Sequence, residues 1–281
     1  MIIIGEKINA TRKSVKKAIL SRDSEMICKQ IKSQDEAGAH YIDLNAGTGE
    51  GDEAKELQDM LWLIDLALET TEKKLSIDSP NPNIIRGAIE HLDGRRPYLI
   101  NSIKNEESLQ KALLPVIAQQ KMSFIALAMD EEGIPDSAEK RLSVCMKIYE
   151  AAKKEGMEDG NIFFDSLVMP LSSNCIYGRI ALEALQMIKN EVPDGKTSLG
   201  VSNISFGLPK RVWVNEAFII AALTRGLDAA ICDPTRESIR RAILLGELTA
   251  GKDRFCRRYT RALRRGDFDK ESKDSKSKGK A

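Results

Sequence analysis

Residues 197–211, TSLGVSNISFGLPKR, place Ser202, Asn203 and Ser205 just after an alternating apolar run, and Gly207 and Pro209 keep helix away until Lys210–Arg211. These are neutral hydrogen-bonding side chains with no nucleophile or metal ligand among them. Such a set binds and polarises a small polar molecule and is unsuited to covalent catalysis. Similar residues follow the other short apolar runs. Glu6, Lys7 and Asn9 follow the first, Asp43 and Asn45 the second, and Asp78 and Ser79 the third. Asn101 and Ser102, Met129 and Asp130, Asp165, and Asp233 follow the fourth, fifth, sixth and eighth. Any one Asp or Asn here could simply cap a helix or shape a turn. For the set that alternative weakens, because helix starts such as Glu53 and Glu106 come several residues later. Gathered together, carboxylates and amides suit a heterocycle that has its own donor and acceptor edge. A carboxylate such as Asp78 or Asp165 accepts two parallel N–H bonds, and an Asn serves the opposite side.

Other chemistries are poorly provided for. The chain has two histidines and five cysteines (28, 145, 175, 232 and 256), scattered and without C-x-x-C spacing, so no metal site is expected and the thiols read as reduced. Net charge is +1, which gives no global field toward nucleic acid or an anionic membrane. The apolar runs are too short to span a bilayer, and MIIIGEKIN reads as a first strand.

The elements that must position these residues alternate in type. Strands are expected at 2–4, 41–44, 74–77, 98–100, 124–128, 162–164, 198–201 and 229–231. Segments with three-to-four-residue apolar spacing lie between them, at 15–20 and 26–37 across a break near Asp23, then 54–68, 84–92, 109–118, 142–152, 180–188, 212–223 and 239–248. Ser137 and Ser238 read as helix-entry residues. Eight β–α alternations in 281 residues predict an α/β fold, a (β/α)8 TIM barrel, whose strand ends converge on one mouth. An open doubly wound sheet would carry a glycine-rich turn after its first strand; GEKINATRKS lacks G-x-G-x-x-G, and there is no P-loop. A helix over 251–266 closes a single domain of residues 1–266, and the charged tail 267–281 is expected to be disordered.

The order and spacing of IIIGEKIN, AGAHYIDLNAG, LSIDSPNPNII, YLINSI, FDSLVMP, LGVSNISFGLPKR and GLDAAICDP resemble the pterin-binding barrel family over nearly the whole chain except the tail. Within it, they resemble the corrinoid-dependent methyltetrahydrofolate methyltransferases. The resemblance implies that Asp78, Asn101 and Asp165 hold a pterin ring by its polar edge, with Gly200 and Ser202 on the loop beside it. It implies that Asn203 is the catalytic residue, hydrogen-bonding near N5 of the folate. Asp43 and Asn45, with Glu6 and Asn9, would support the pocket. Rim cations Lys7, Arg12, Lys210 and Arg211 could meet an anionic tail, the competing reading being solvated surface charge. The substrate would be tetrahydrofolate or 5-methyltetrahydrofolate. The cobalamin (corrinoid) would arrive on a separate corrinoid protein, because nothing here resembles D-x-H-x-x-G. Homodimers also go with the family, and the reduced thiols point to a cytoplasmic setting.

The segment Phe206-Gly207-Leu208-Pro209 is more apolar than the resemblance leads one to expect, and Phe206 could face the pterin, the corrin or the core. A dihydropteroate-synthase-like condensing enzyme is the alternative with the same barrel, although N-x-T-P-D-S-F and S-R-K are missing from the relevant loops. A folate-binding subunit of a larger complex is the non-enzymatic alternative. The direction of methyl transfer stays open, with a lean toward methylation of tetrahydrofolate.

Overall fold

A computed structural model describes residues 1–49 and 52–267; most of the expected disordered tail lies outside the described residues. Eight parallel strands close into a barrel in chain order. They are β1 (Ile2–Asn9), β2 (Tyr41–Asn45), β3 (Lys74–Asp78), β4 (Tyr98–Asn105), β5 (Ser123–Asp130), β6 (Ile162–Asp165), β7 (Lys196–Gly200) and β8 (Ala229–Cys232). Closure is made where Ile2 and Ile4 of β1 pair with Ala229 and Ile231 of β8. The helices are α1 (Lys13–Leu20), α2 (Ser24–Glu36), α3 (Glu53–Thr70), α4 (Pro82–Leu92), α5 (Glu107–Gln119), α6 (Ala138–Lys154), α7 (Tyr177–Glu191), α8 (Arg211–Thr224), α9 (Glu237–Thr249) and α10 (Arg257–Arg264). The eight strands fall where the apolar runs place them.

Two layers of core hold the barrel. Ile4, Tyr41, Leu99, Ile125, Phe163 and Ala229 plug its interior, and Tyr41 meets Phe163 edge-on at 6.5 Å. Outside, buried Ile, Leu and Val side chains seal helices onto strands. Each such side chain contributes roughly 1.5–3 kcal/mol through burial. The plug fills the lower barrel with hydrocarbon, so polar residues concentrate at the upper strand ends. Six of the eight strands end on Asn or Asp: Asn9, Asn45, Asp78, Asn105, Asp130 and Asp165.

The start signals for helices are local. Asp23, Asp52 and Asn81 each accept a backbone N–H of the next helix, and Ser137 caps α6 by accepting from Lys140 N, as the sequence suggests. Ser238 differs: it lies one residue inside α9, behind Arg236 as the N-cap. Further boundaries depart from expectation: β1 and β4 run on past residues 4 and 100 to Asn9 and Asn105, so Glu6, Lys7, Asn101 and Ser102 lie within strands and not after them. Val201 leaves β7 for a 3₁₀ turn, Val201–Ser205, and the closing segment is helical only over α10 after a short 3₁₀ turn at Arg254–Cys256. Phe255 and Cys256 adopt left-handed backbone there and break the helix.

The α8–α9 contact requires glycine at 246. A methyl group there would lie 3.2 Å from Leu223 Cβ and 3.3 Å from the Ile220 Cα of α8. Gly246→Ala is expected to destabilise the fold by about 1–3 kcal/mol through overpacking. A urea midpoint equal to that of the native chain would contradict this close approach.

Candidate functional site

The candidate site residues fall into three groups at the mouth. The first bridges β2, β3 and β4. Register sets Asp43 beside Ser76 and Asp78 beside Asn101. Asn101 Nδ2 then donates across two strands to Asp43 Oδ1 at 3.2 Å, and Asn45 Nδ2 donates to Asp78 Oδ2 at 3.0 Å. The Asn45 side chain is fixed in turn by Gly47 N, which donates to Asn45 Oδ1 at 3.1 Å. Both carboxyls are therefore met by neutral amides. Burial raises the Asp78 carboxyl to about 6 against the pull of Asn45. Asp43 is raised well above the ordinary range, first by burial and then by the Asp78 charge, with Ser76 and Asn101 opposing.

The second group is Asp165, Gly200 and Asn203. Asp165 is buried at the end of β6 and accepts the Leu167 backbone N–H at 2.8 Å. Burial raises it to about 7, while the Leu167 and Gly200 amides and the Arg141 charge pull the other way. Gly200 ends β7, and the Asn203 side chain folds back over it. A methyl group on Gly200 would lie 3.2 Å from Asn203 Nδ2, so the glycine leaves room for the amide. Asn203 itself is exposed on the 3₁₀ turn.

The third group lines the rim. Ser202 Oγ donates to Glu6 Oε2 at 3.2 Å, and Arg12 pairs with Glu6 Oε1 at 3.1 Å. Arg211 donates to Ser205 Oγ at 2.9 Å and to the Ser202 carbonyl at 2.7 Å, so it braces the Asn203 turn. Burial raises the Glu6 carboxyl, opposed chiefly by Arg12. A hollow of about 350 Å³ opens here, lined by Glu6, Arg12, Ser202, Arg211, Asp233 and Arg236. Lys7 reaches Thr235 Oγ1 at 3.2 Å, also on this side. Asn9 turns elsewhere: its Oδ1 accepts from Thr11 N and Thr11 Oγ1, at 2.9 and 2.6 Å, and shapes the entry to α1. A larger hollow, about 810 Å³, lies among Met1, His40, Arg240, Arg258 and Arg261 and contains none of the strand-end carboxyls.

One supporting residue was missed in the sequence. Arg141 is 1% exposed and donates to the carbonyls of Pro135 (2.9 Å), Ser166 (2.8 Å) and Leu167 (2.6 Å). Leu167 has left-handed backbone, φ 59°, a conformation that costs an L-residue about 1–2 kcal/mol. Arg141 and Asp165 clamp its carbonyl and amide and so fix the loop after β6. A single arginine in the first turn of a helix ordinarily reads as solvated, so its spacing gave no signal. Among the described residues no group of three or more His, Cys, Asp or Glu side chains is placed to hold a metal ion.

A model of the family described as "pterin binding enzyme" matches residues 5–233. The chain belongs to the pterin-binding enzyme family. Within it, the chain is 37% identical over 269 residues to a methylcorrinoid:tetrahydrofolate methyltransferase of Eubacterium limosum, covering 95% of this chain and 97% of that one. It is 29% identical to a methionine synthase of Mycobacterium tuberculosis over 82% of this chain, but it spans only 20% of that protein. Among solved structures, a Yersinia pestis dihydropteroate synthase bound to a pterine-sulfa conjugate superposes with a TM-score of 0.67 at 16% identity, covering 89% and 93% of the two chains. A Coxiella burnetii dihydropteroate synthase in complex with pteroic acid gives 0.63 at 15%, covering 88% and 94%. At such identities these structures speak to the barrel fold alone.

The raised carboxyls make stability depend on pH. Asp165 and Asp78 hold their protons in the folded state to about pH 7 and 6, whereas a carboxyl in the unfolded chain loses its proton near pH 4. Between about pH 4 and 7 the unfolded chain therefore binds fewer protons, and stability falls as pH rises through that window. Asp165→Asn keeps an acceptor oxygen and removes the charge. Its thermal midpoint at pH 8 is expected to exceed that of the native chain by several degrees, with the gap narrowing toward pH 4. A lower or equal midpoint at pH 8 would contradict the burial.

Proposed function

We propose that the protein is a methyltransferase that moves a methyl group from a corrinoid carried by a second protein to N5 of tetrahydrofolate. The observation that carries this reading is the exposed Asn203 amide, seated over Gly200 above buried Asp165. Similarity over nearly the full length to the Eubacterium limosum methylcorrinoid:tetrahydrofolate methyltransferase supports both the reaction and its direction.

In this reading Asp78 and Asp165 accept the N–H groups of the aminopyrimidinone edge, which requires them ionised. Asn101, oriented by Asp43, serves the opposite side of that edge. Amides and backbone N–H groups stabilise the ionised form, with the Arg141 charge adding a weaker pull on Asp165. The hollow among Arg12, Ser202 and Arg211 takes the carboxylate tail of the folate. The methyl group moves by in-line displacement. The N5 lone pair forms the new N–C bond, the cobalt–carbon bond breaks, and its electron pair stays on cobalt, which passes from the Co(III) to the Co(I) level. The N5 proton leaves to solvent. Asn203 accepts from N5–H while the lone pair attacks, and donates to the lone pair of the methylated N5 once the proton has left, so it follows the changing nitrogen without adding a charge to desolvate.

The corrinoid partner, a homodimeric assembly and a cytoplasmic setting belong to the same proposal. No helix among the described residues is long and apolar enough to cross a membrane.

The test is anaerobic incubation with methylcob(III)alamin and tetrahydrofolate, following the cobalt absorbance and the appearance of 5-methyltetrahydrofolate. Asn203→Ala is expected to retain the native thermal midpoint and to transfer methyl on the order of a hundredfold more slowly. Undiminished turnover in that variant would overturn the assignment of Asn203. Condensation of a pterin pyrophosphate with p-aminobenzoate would replace the proposal with the synthase alternative, and folate binding without any methyl transfer would replace it with a folate-binding subunit.

A further inference from the structure

The seventh-strand loop continues past the site into an apolar ridge that the pterin has no need of. Phe206 and Trp213 are 65% and 62% exposed. Ile176, at the start of α7, is also exposed and lies on the same barrel face. The loop backbone that carries Phe206 is braced. Ser172 Oγ donates to the Phe206 carbonyl at 2.7 Å, Leu171 N donates to the Ile204 carbonyl at 3.0 Å, and Phe206 N donates to the Asn203 carbonyl at 3.1 Å. Cations lie over both rings, Lys210 Nζ 4.1 Å from the Trp213 ring centre and Arg211 Cζ 5.9 Å from that of Phe206.

We infer that Phe206, Lys210 and Trp213 form the surface on which the corrinoid-carrying protein docks, and that the docking face of that protein is acidic around its exposed corrin. This rests on the methyltransferase reading. In-line transfer puts cobalt, methyl carbon and N5 on one line beside Asn203. A carrier that brings cobalt there must cover the residues next to Asn203, and Phe206 is three positions along the same turn. Preordered aromatic side chains lose little freedom when covered, which is why Trp and Tyr dominate the energetics of interfaces. The fixed cations supply the sign of charge that the partner must complement and steer its approach. Among the described residues, the other large exposed aromatic, Phe255, lies in the turn before α10, far along the chain from Asn203 and outside the strand-end loops.

The experiment compares two methyl donors in the same assay: free methylcob(III)alamin, and the methylated corrinoid protein purified from the source organism by its cobalt absorbance. Trp213→Ser and Phe206→Ser are expected to raise KM for the protein-bound donor about tenfold or more, the loss expected for one interface anchor. Turnover with the free donor should stay within about twofold of native. Raising salt from about 0.05 to 0.5 M should weaken only the protein-bound reaction, because screening acts on the steering charges. Equal losses with both donors, or no loss with the protein donor, would overturn the docking surface. So would a change in the oligomeric state of the chain alone on sedimentation, which would make the ridge a contact between copies. If the native chain transfers methyl from neither donor, the methyltransferase reading fails and the docking surface fails with it.

Discussion

Carboxyl groups held out of water with neutral partners are the constraint on which this mouth depends. Asp43 is answered by Asn101, Asp78 by Asn45, and Asp165 by the backbone amides of Leu167 and Gly200. Ion pairing would have fixed these carboxyls as permanent anions and closed their outer oxygens to a ligand. Burial beside amide donors leaves Asp78 and Asp165 poised between protonated and ionised, at about 6 and about 7. Such a group is costly in the empty protein and is put to use when a heterocycle brings N–H groups to it. The barrel tolerates the cost because its lower half is packed with hydrocarbon by the Ile4, Leu99, Ile125 and Phe163 layer. Stability and chemistry are thus separated along the barrel axis.

Much of this was legible in the sequence. Parallel strands buried on both sides must be short apolar runs, and each one leaves polar residues at the mouth, so Asp78, Asn101 and Asp165 could be read from position as mouth residues, while the resemblance singled them out from the rest. Other features were less visible. Asn9 and Asn45 look alike as strand-terminal amides, yet Asn9 closes a turn on Thr11 whereas Asn45 reaches sideways to Asp78. The difference depends on which neighbour each side chain meets, and that is a property of barrel closure. Arg141 was invisible because its three carbonyl partners lie in two loops separate from its own helix. The 3₁₀ turn at Val201–Ser205 read as one more strand residue and a loop, because Val201 continues the apolar alternation while Gly200 has already ended the ladder.

That turn joins the two demands made on the molecule. Its inner side carries Asn203 over the room left by Gly200. Arg211 ties Ser202 to Ser205 beneath it, and its outer continuation presents Phe206 and Trp213 to solvent. A loop that must orient one amide and also meet a protein surface cannot be loose. This accounts for the number of hydrogen bonds holding a segment that has no regular secondary structure beyond a single turn.

The central claim is that pterin binding ionises the buried carboxyls. It is tested most directly by calorimetric titration of tetrahydrofolate into the protein in paired buffers of different ionisation enthalpy. At pH 6 the Asp78 and Asp165 carboxyls still hold much of their proton, so binding should release between about half a proton and one and a half. At about pH 8.5 both are ionised already, and the release should fall close to zero. Heats that do not depend on buffer at pH 6, or net proton uptake there, would contradict the account.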